Sequence, residues 1–370
     1  MIAALIAAGG LIAGGAAMAR PMCLPPKPPA APGRSLGVTV VIPARNAAAT
    51  IAPLLASLEQ SGATEVIVVD DASSDATALI AAAHGARVVR LVGDPPTGWT
   101  GKAYACHRGA ASAQTPLLLF LDADVTLRPG ALDRLVGAHA QRGGLISVQP
   151  YHRTRRPYEA LSAICNVVAI MGSGAFTAWR RVTRPAAFGP CLLTSVDDYV
   201  SAGGHAAVRD AVVEDVALAR RFDAAGLPVW VFAGWSAVEF RMYPEGVRQL
   251  AEGWTKNLAS GVQLVDPVSA AIAVWWVSAC IWLTAVALRL VAVGEQSDIA
   301  LALACWTAVA VELRWMWRRV GSFGWWTALL YPVSIASFVV LFIRSAWATV
   351  VRRRVQWSGR AVALTSRRTG

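Results

Sequence analysis

PLLLFLDAD, residues 116–124, is an apolar run that ends in two carboxylates separated by one alanine. Unbroken apolar runs of this length, bounded by turn residues, read as strands buried on both faces. Asp122 and Asp124 stand where the chain leaves the strand and begins to turn. From there both can approach one hard divalent cation. Mg²⁺ commonly takes one or two carboxylates together with phosphate oxygens. EVIVVDD (65–71) has the same form and ends in Asp70 and Asp71. A single acidic residue at a strand end is often a helix cap. Two strands that each deliver an acidic pair are harder to explain by capping, because adjacent carboxylates repel. Such pairs are tolerated where a cation or a donor-rich ligand compensates them.

Outward from these runs, VTVVIPA (38–44) and ARVVRLV (86–92) also read as strands. Between the strands lie TIAPLLASLEQ (50–60), SDATALIAAAHG (74–85) and KAYACHRGAASA (102–113), which read as helices. This alternation predicts an α/β fold with a parallel sheet covered on both faces. LISVQPY (145–151) is a further candidate strand, and YEALSAICNVVAIMG (158–172) reads as helical. So does VEDVALARRFDAAG (213–226), with Gly226 at the expected stop position. In an open α/β sheet, ligands sit at the carboxyl ends of the strands. The acidic pairs fall there.

The whole chain of 370 residues is 55% hydrophobic and only 15% charged, with mean hydropathy +0.48. Soluble domains run near 25% charged, so a purely soluble or disordered chain is excluded. The net charge of +11 lies mostly at the ends. Residues 1–35 carry three basic side chains and no acids, and residues 344–370 carry seven Arg and no acids. Residues 36–266 carry 20 basic and 20 acidic side chains. A nucleic-acid surface needs its basic residues clustered on the folded domain, so that class is disfavoured. The six cysteines are scattered without CxxC or metal spacing, so neither a disulfide framework nor a zinc site is expected.

Residues 1–19 are uncharged and just long enough to span a bilayer. They read as an uncleaved anchor, with a cleaved signal peptide as the rival. A Pro-rich spacer covers 20–35. Residues 267–288, 299–313 and 322–343 are apolar, and ten of the fifteen Trp fall between 275 and 357. Trp and Arg near segment ends form the aromatic belt of a membrane protein; the rival is a buried helical bundle. The expected domains are therefore an anchor (1–19), a linker (20–35), a catalytic domain (36–266), membrane segments (267–348) and a basic tail (349–370).

VVIPARN, VIVVDDASSD, GWTGKAYAC, LDAD and VVEDVALARR, in this order and spacing, resemble the family 2 glycosyltransferases of GT-A fold across roughly residues 36–260. GWTGK (98–102), QPYH (149–152), FGPCLL (188–193) and GGHAAVRDAVVEDVAL (203–218) narrow the resemblance. They point to the membrane-bound branch that includes carotenoid-acid (diaponeurosporenoate) and hopanoid-associated glycosyltransferases. The resemblance implies that Pro43, Ala44 and Arg45 line a nucleotide pocket, with Asp70 or Asp71 accepting from base or ribose. It implies Lys102 near the nucleotide or its diphosphate, and Asp122 and Asp124 on a Mg²⁺ or Mn²⁺ ion. It makes Asp215, in Glu214-Asp215, the general base. Gly203, Gly204, His205, His152 and Trp254 are candidate acceptor-site groups, although a lone His is more often structural. A Glu-Asp pair at a helix start is by itself also favoured by the macrodipole.

The expected activity is therefore a single inverting transfer of sugar from a nucleotide-diphosphate donor, UDP-linked by resemblance, to a lipid-like hydroxyl or carboxyl. The catalytic domain would face the cytoplasm of a multi-pass membrane protein, with no nucleic-acid partner and no obligate protein partner. Processive relatives carry QxxRW after the base; here the region reads EGWTKN (252–257), with Trp254 expected at headgroup level. A polyprenyl-phosphate or polysaccharide-forming transferase is the alternative enzyme, and a degenerate membrane scaffold the non-enzymatic one. Three crossings after residue 266 would place the Arg-rich tail outside and two would place it inside, so one apolar segment is expected to be re-entrant or interfacial. VQWSGR (355–360) weakly resembles a C-terminal box of related transferases.

Overall fold

The computed structural model describes residues 2–27, 37–59, 61–179, 185–211, 213–261, 266–294, 298–348, 354–357 and 360–363. Residues 28–35 of the expected linker lie outside the described residues, as does most of the basic tail, including two positions of VQWSGR. The chain forms two compact units. One comprises Met22–Tyr151, Pro185–Arg241 and Arg354–Gly370; the other comprises Met1–Pro21, His152–Arg184 and Met242–Arg353. The division is discontinuous in sequence. Residues 152–179 and 242–261, read from sequence within the catalytic stretch, belong to the same unit as the apolar helices.

The first unit is built on a seven-stranded sheet. Its strands are β1 (Val38–Ala44), β2 (Glu65–Asp71), β3 (Arg87–Leu91), β4 (Leu117–Leu121), β6 (Leu145–Gln149), β8 (Cys191–Ser195) and β9 (Val229–Ala233), in the order β3-β2-β1-β4-β8-β6-β9. The helices α2 (Ile51–Leu58), α3 (Thr77–Ala83) and α4 (Gly101–Ala111) connect the first four strands. Two short strands, β5 (Val125–Leu127) and β10 (Val238–Phe240), pair antiparallel beside this sheet. The strands β1 to β4 pair parallel, as their apolar runs predict. The sheet as a whole is mixed, because β8 runs antiparallel to both β4 and β6. The parallel sheet expected from the four apolar runs is present in β1 to β4, and β8, not read as a strand from sequence, adds the antiparallel pairing. Residues 152–179, which follow β6 and precede β8 in sequence, belong to the other unit.

The strand order reverses at β1, whose neighbours are β2 and β4. That is the switch point at which ligands bind in such sheets. Gly109 lets α4 lie close on β1, since a Cβ there would collide with Val41 Cγ1 and press on Val69. The α8 helix (Glu214–Ala224) ends as expected, at Gly226 with φ +73°. Its Leu218 and Phe222 join Val41, Ile67, Val69, Leu118, Phe120 and Leu192 in one buried cluster. Phe222 is 0% exposed. Phe222→Ala is expected to destabilise the sheet unit by about 3–5 kcal/mol, the range for a fully buried Phe. Denaturant unfolding of the detergent-solubilised chain measures this. A change below about 1 kcal/mol would show that the cavity collapses.

The second unit is helical. α10 (Pro267–Val293) and α11 (Asp298–Val320) are long and apolar enough, by length and composition, to cross a membrane. α1 (Ile2–Ala17) and α13 (Tyr331–Trp347) are apolar but shorter. The apolar segment 322–343 is not one helix. It divides into α12 (Trp325–Leu329) and α13, with Pro332 in the first turn of α13, where its missing N–H costs nothing. α1 meets α10 through Gly9, Gly10 and Gly14, where added Cβ atoms would strike Trp275, Ala279 and Trp276. Small residues that let helix backbones approach closely are the usual packing device in membranes. Outward-facing apolar side chains such as Val274, Ile281, Leu288 and Leu303 remain exposed. All six cysteines are free.

Candidate active site

The loops that follow β1 and β2 are tied to each other. Arg45 Nη1 donates to the Asp71 carbonyl at 2.7 Å and lies 3.9 Å from its carboxylate. The Asn46 amide donates to Ser73 Oγ at 2.9 Å, and Asn46 Oδ1 accepts from the Ser74 amide at 2.9 Å. Asp75 Oδ2 accepts from the Ala48 amide at 3.0 Å. Asn46 and Ala72 have φ of +49° and +50°, a left-handed backbone uncommon outside glycine. Pro43 and Ala44 end β1 against Val69 and Asp70 of β2. Asp70 and Asp71 are buried, and Asp70 Oδ1 accepts from the Ser73 amide at 3.1 Å. That bond turns Asp70 into its own loop, while Asp71 stands against Arg45.

The β4 end and the α8 start meet through a lysine. Thr100 caps α4, accepting from the Ala103 amide at 3.3 Å, and Lys102 lies in the first turn. A cation is poorly placed at a helix N-terminus, so its stability comes from side chains. Lys102 Nζ lies 2.8 Å from Asp122 Oδ1 and 2.9 Å from Glu214 Oε1. Burial alone would lower the Lys102 pKa. The Asp122, Glu214 and Asp215 carboxylates more than reverse this and hold it well above the usual range. Lys102 is therefore a fixed ammonium bridging two acidic groups.

Asp124 lacks such a partner. Burial, and then the Asp122 charge, push its carboxyl up to about 7, with Lys102 offsetting only part. A carboxyl brought this close to neutrality fits a bound cation, which would take the place of the proton. Among the described residues, no three His, Cys, Asp or Glu side chains gather around one point. A two-carboxylate site completed by phosphate oxygens and water matches that donor set.

Asp215 sits in the first turn of α8. Its Oδ2 accepts from the Gly189 amide at 2.6 Å and its Oδ1 from the Val216 amide at 2.9 Å. Burial first, and then Glu214, raise its pKa to about 6, against the opposing pull of Lys102 and the two amides. Asp215 as a residue is half-buried, whereas Glu214 is 8% exposed.

The candidate acceptor groups are dispersed. Gly203 and Gly204 form a turn with φ of +82° and +52°, and a Cβ on Gly204 would press into the Tyr199 ring. His205 is buried; Tyr199 Oη lies 2.9 Å from its Nδ1 and accepts from its amide at 2.9 Å. Burial pushes His205 down to about 4, so the ring is neutral at pH 7. His152 and Trp254 belong to the helical unit. His152 is fully buried, with the Asn166 amide nitrogen 3.1 Å from Nδ1. Trp254 lies in α9 (Val247–Gly261), 4% exposed, and donates to Ser162 Oγ at 2.8 Å. Its indole thus faces protein rather than headgroups, because a buried N–H needs a partner. Gly189 and Ser147, which touch or support this site, were not candidates from sequence. Gly189 was visible only as part of FGPCLL.

The family model described as glycosyl transferase family 2 matches residues 39–197. The 4,4'-diaponeurosporenoate glycosyltransferase of Staphylococcus aureus strain MRSA252 is 37% identical over 334 residues, which is 89% of this chain and 88% of that protein. The protein of the same description from strain N315 is 36% identical over the same shares. Among solved structures, the mannosyltransferase PcManGT from Pyrobaculum calidifontis, in complex with GDP-Man and Mn²⁺, aligns with TM-score 0.55 and 18% identity. The alignment covers 93% of this chain and 99% of that one, a likeness of fold.

Proposed function

The chain belongs to the family 2 glycosyltransferases, and on that premise we propose that it moves one hexose from a nucleotide-diphosphate donor, a UDP-hexose, to a lipid-like acceptor with inversion. The acceptor is of carotenoid or hopanoid type and presents a hydroxyl or carboxyl. The observation that carries this reading is the charge arrangement: Asp124 next to Asp122, Asp122 bridged by Lys102 to Glu214, and Glu214 next to Asp215. The S. aureus relatives act on a carotenoid acid by name, which supports the acceptor class.

Arg45 and Asp71 hold base and ribose. Asp122 and Asp124 hold Mg²⁺ or Mn²⁺, which when bound stabilises the charge of the leaving diphosphate. Lys102 adds a fixed positive charge next to it. With a hydroxyl acceptor, Asp215 takes the O–H proton as that oxygen bonds to the sugar C1 and the C1–phosphate oxygen bond breaks; a carboxylate acceptor makes the same bond with no proton to lose. One base opposite the leaving group yields inversion, by the in-line logic of inverting sugar hydrolysis. His205 acts as a buried support in the sheet unit rather than as a proton carrier, in keeping with its burial and neutral ring.

α10 and α11, taken as two crossings, support a multi-pass membrane protein whose sheet unit faces the cytoplasm, where bacterial nucleotide sugars are found. Two crossings also return the Arg-rich tail to that side, as the positive-inside rule requires. The test is mass spectrometry of lipid extracts from broken-cell membranes incubated with labelled UDP-hexoses, with active or Asp215→Asn protein. A labelled carotenoid or hopanoid glycoside is expected only with the active chain. Label confined to polyprenyl phosphate would favour the alternative enzyme, and no labelled lipid would overturn the reading.

A further inference from the structure

Three consecutive residues, Phe188, Gly189 and Pro190, each make a backbone contact with a different part of the site. Phe188 is held on the sheet by Ser147 of β6, which is 0% exposed. Ser147 Oγ accepts from the Phe188 amide at 2.7 Å and donates to its carbonyl at 3.2 Å. The Gly189 amide donates to Asp215 Oδ2 at 2.6 Å. The Pro190 carbonyl accepts from the Asp122 amide at 3.1 Å. A Cβ at position 189 would lie 2.9 Å from Asp215 Oδ2 and 3.2 Å from its Cγ, so any larger residue there must push the Asp215 carboxylate aside.

We propose that the segment 188–190 is a positioning strap that sets Asp215 relative to the carboxylates of the β4 end, with Ser147 as its anchor. The proposal rests on Asp215 being the base. One end of the strap is fixed in the sheet by two hydrogen bonds to a buried hydroxyl. Its middle orients one oxygen of the base, and its far end shares a backbone bond with the first carboxylate of the DAD run. A base and a donor site on separate elements must be registered to within about 0.5 Å. Displacement of about 1 Å costs on the order of 10²-fold in rate. The Gly189 amide also stabilises ionised Asp215. The charges that face Asp215 are Glu214 on its own helix and Lys102 from α4.

The test uses the full-length, detergent-solubilised enzyme with UDP-hexose and Mn²⁺. Ser147→Ala removes the anchor without touching the site, and Gly189→Ala displaces Asp215 directly. Each is expected to lower kcat by about 10- to 100-fold, with donor KM and nucleotide affinity within about twofold of wild type. The acid limb of the pH–rate profile should move upward in Gly189→Ala, which a loss of general stability does not produce. In the Asp215→Asn background, Gly189→Ala should add no further loss. Wild-type kcat in both strap variants, or kcat falling in step with nucleotide affinity, overturns the strap alone. Wild-type turnover in Asp215→Asn overturns the base and the strap with it.

Discussion

Asp215→Asn lowers kcat by about 10²- to 10⁴-fold, the range of a positioned general base, while nucleotide binding stays near wild type. Asn keeps the size of the side chain and can still accept from the Gly189 amide, but it cannot take a proton. The loss therefore appears in the chemical step and not in donor KM. In the native enzyme Asp215 must be ionised, and burial and Glu214 hold its pKa at about 6. Activity should rise with pH through about 6 and fall below it. The stability effect has the opposite sign. A carboxyl whose folded pKa exceeds its unfolded value of 3.8 contributes stability at low pH that is lost as pH climbs toward 6. Asn carries no such penalty, so the variant should be no less stable than wild type at pH 7.5. Single-turnover kinetics and thermal unfolding decide this together; undiminished turnover, or a fall explained by unfolding, would sink the assignment.

Asp124→Ala acts on the donor side. It removes the carboxyl that burial and Asp122 push up to about 7, the group with most to gain from a cation. A bound metal supplies several kcal/mol to the leaving group, and loss of about 3 kcal/mol corresponds to roughly 100-fold weaker metal-dependent nucleotide binding. Calorimetric titration of UDP with and without Mn²⁺ reads this directly, independently of turnover. Asp124→Ala should bind UDP equally weakly in both conditions. If Mn²⁺ still strengthens UDP binding in the variant as it does in wild type, Asp124 is not a ligand.

Much of the sheet was legible because its signal is local. VTVVIPA and EVIVVDD become β1 and β2 with the bounds read from sequence. An apolar strand has to be continuous in sequence to be buried on both faces. The acidic pairs were legible for the same reason, since strand ends place them at the ligand-binding edge. The direction of β8 was not legible, because a strand of five residues carries no mark of which way it enters. The apolar C-terminal segments were read by composition, and the break of 322–343 falls just before Pro332, whose effect depends on whether a helix begins there or continues.

Residue types and short spacing by themselves determined the strands β1 to β4, the carboxylates at their ends and the apolar segments; the switch point came from the strand order. The tertiary structure alone decided what those carboxylates touch. Lys102 reaches Glu214 across 112 positions, and Gly189 reaches Asp215 across 26. His205 and Trp254, which looked available in sequence, are turned inward to Tyr199 and Ser162. Such contacts depend on how strands register and how loops cross above them. Backbone amides and buried hydroxyls leave no sequence pattern, yet here they hold the Asp215 carboxylate and the Phe188 backbone.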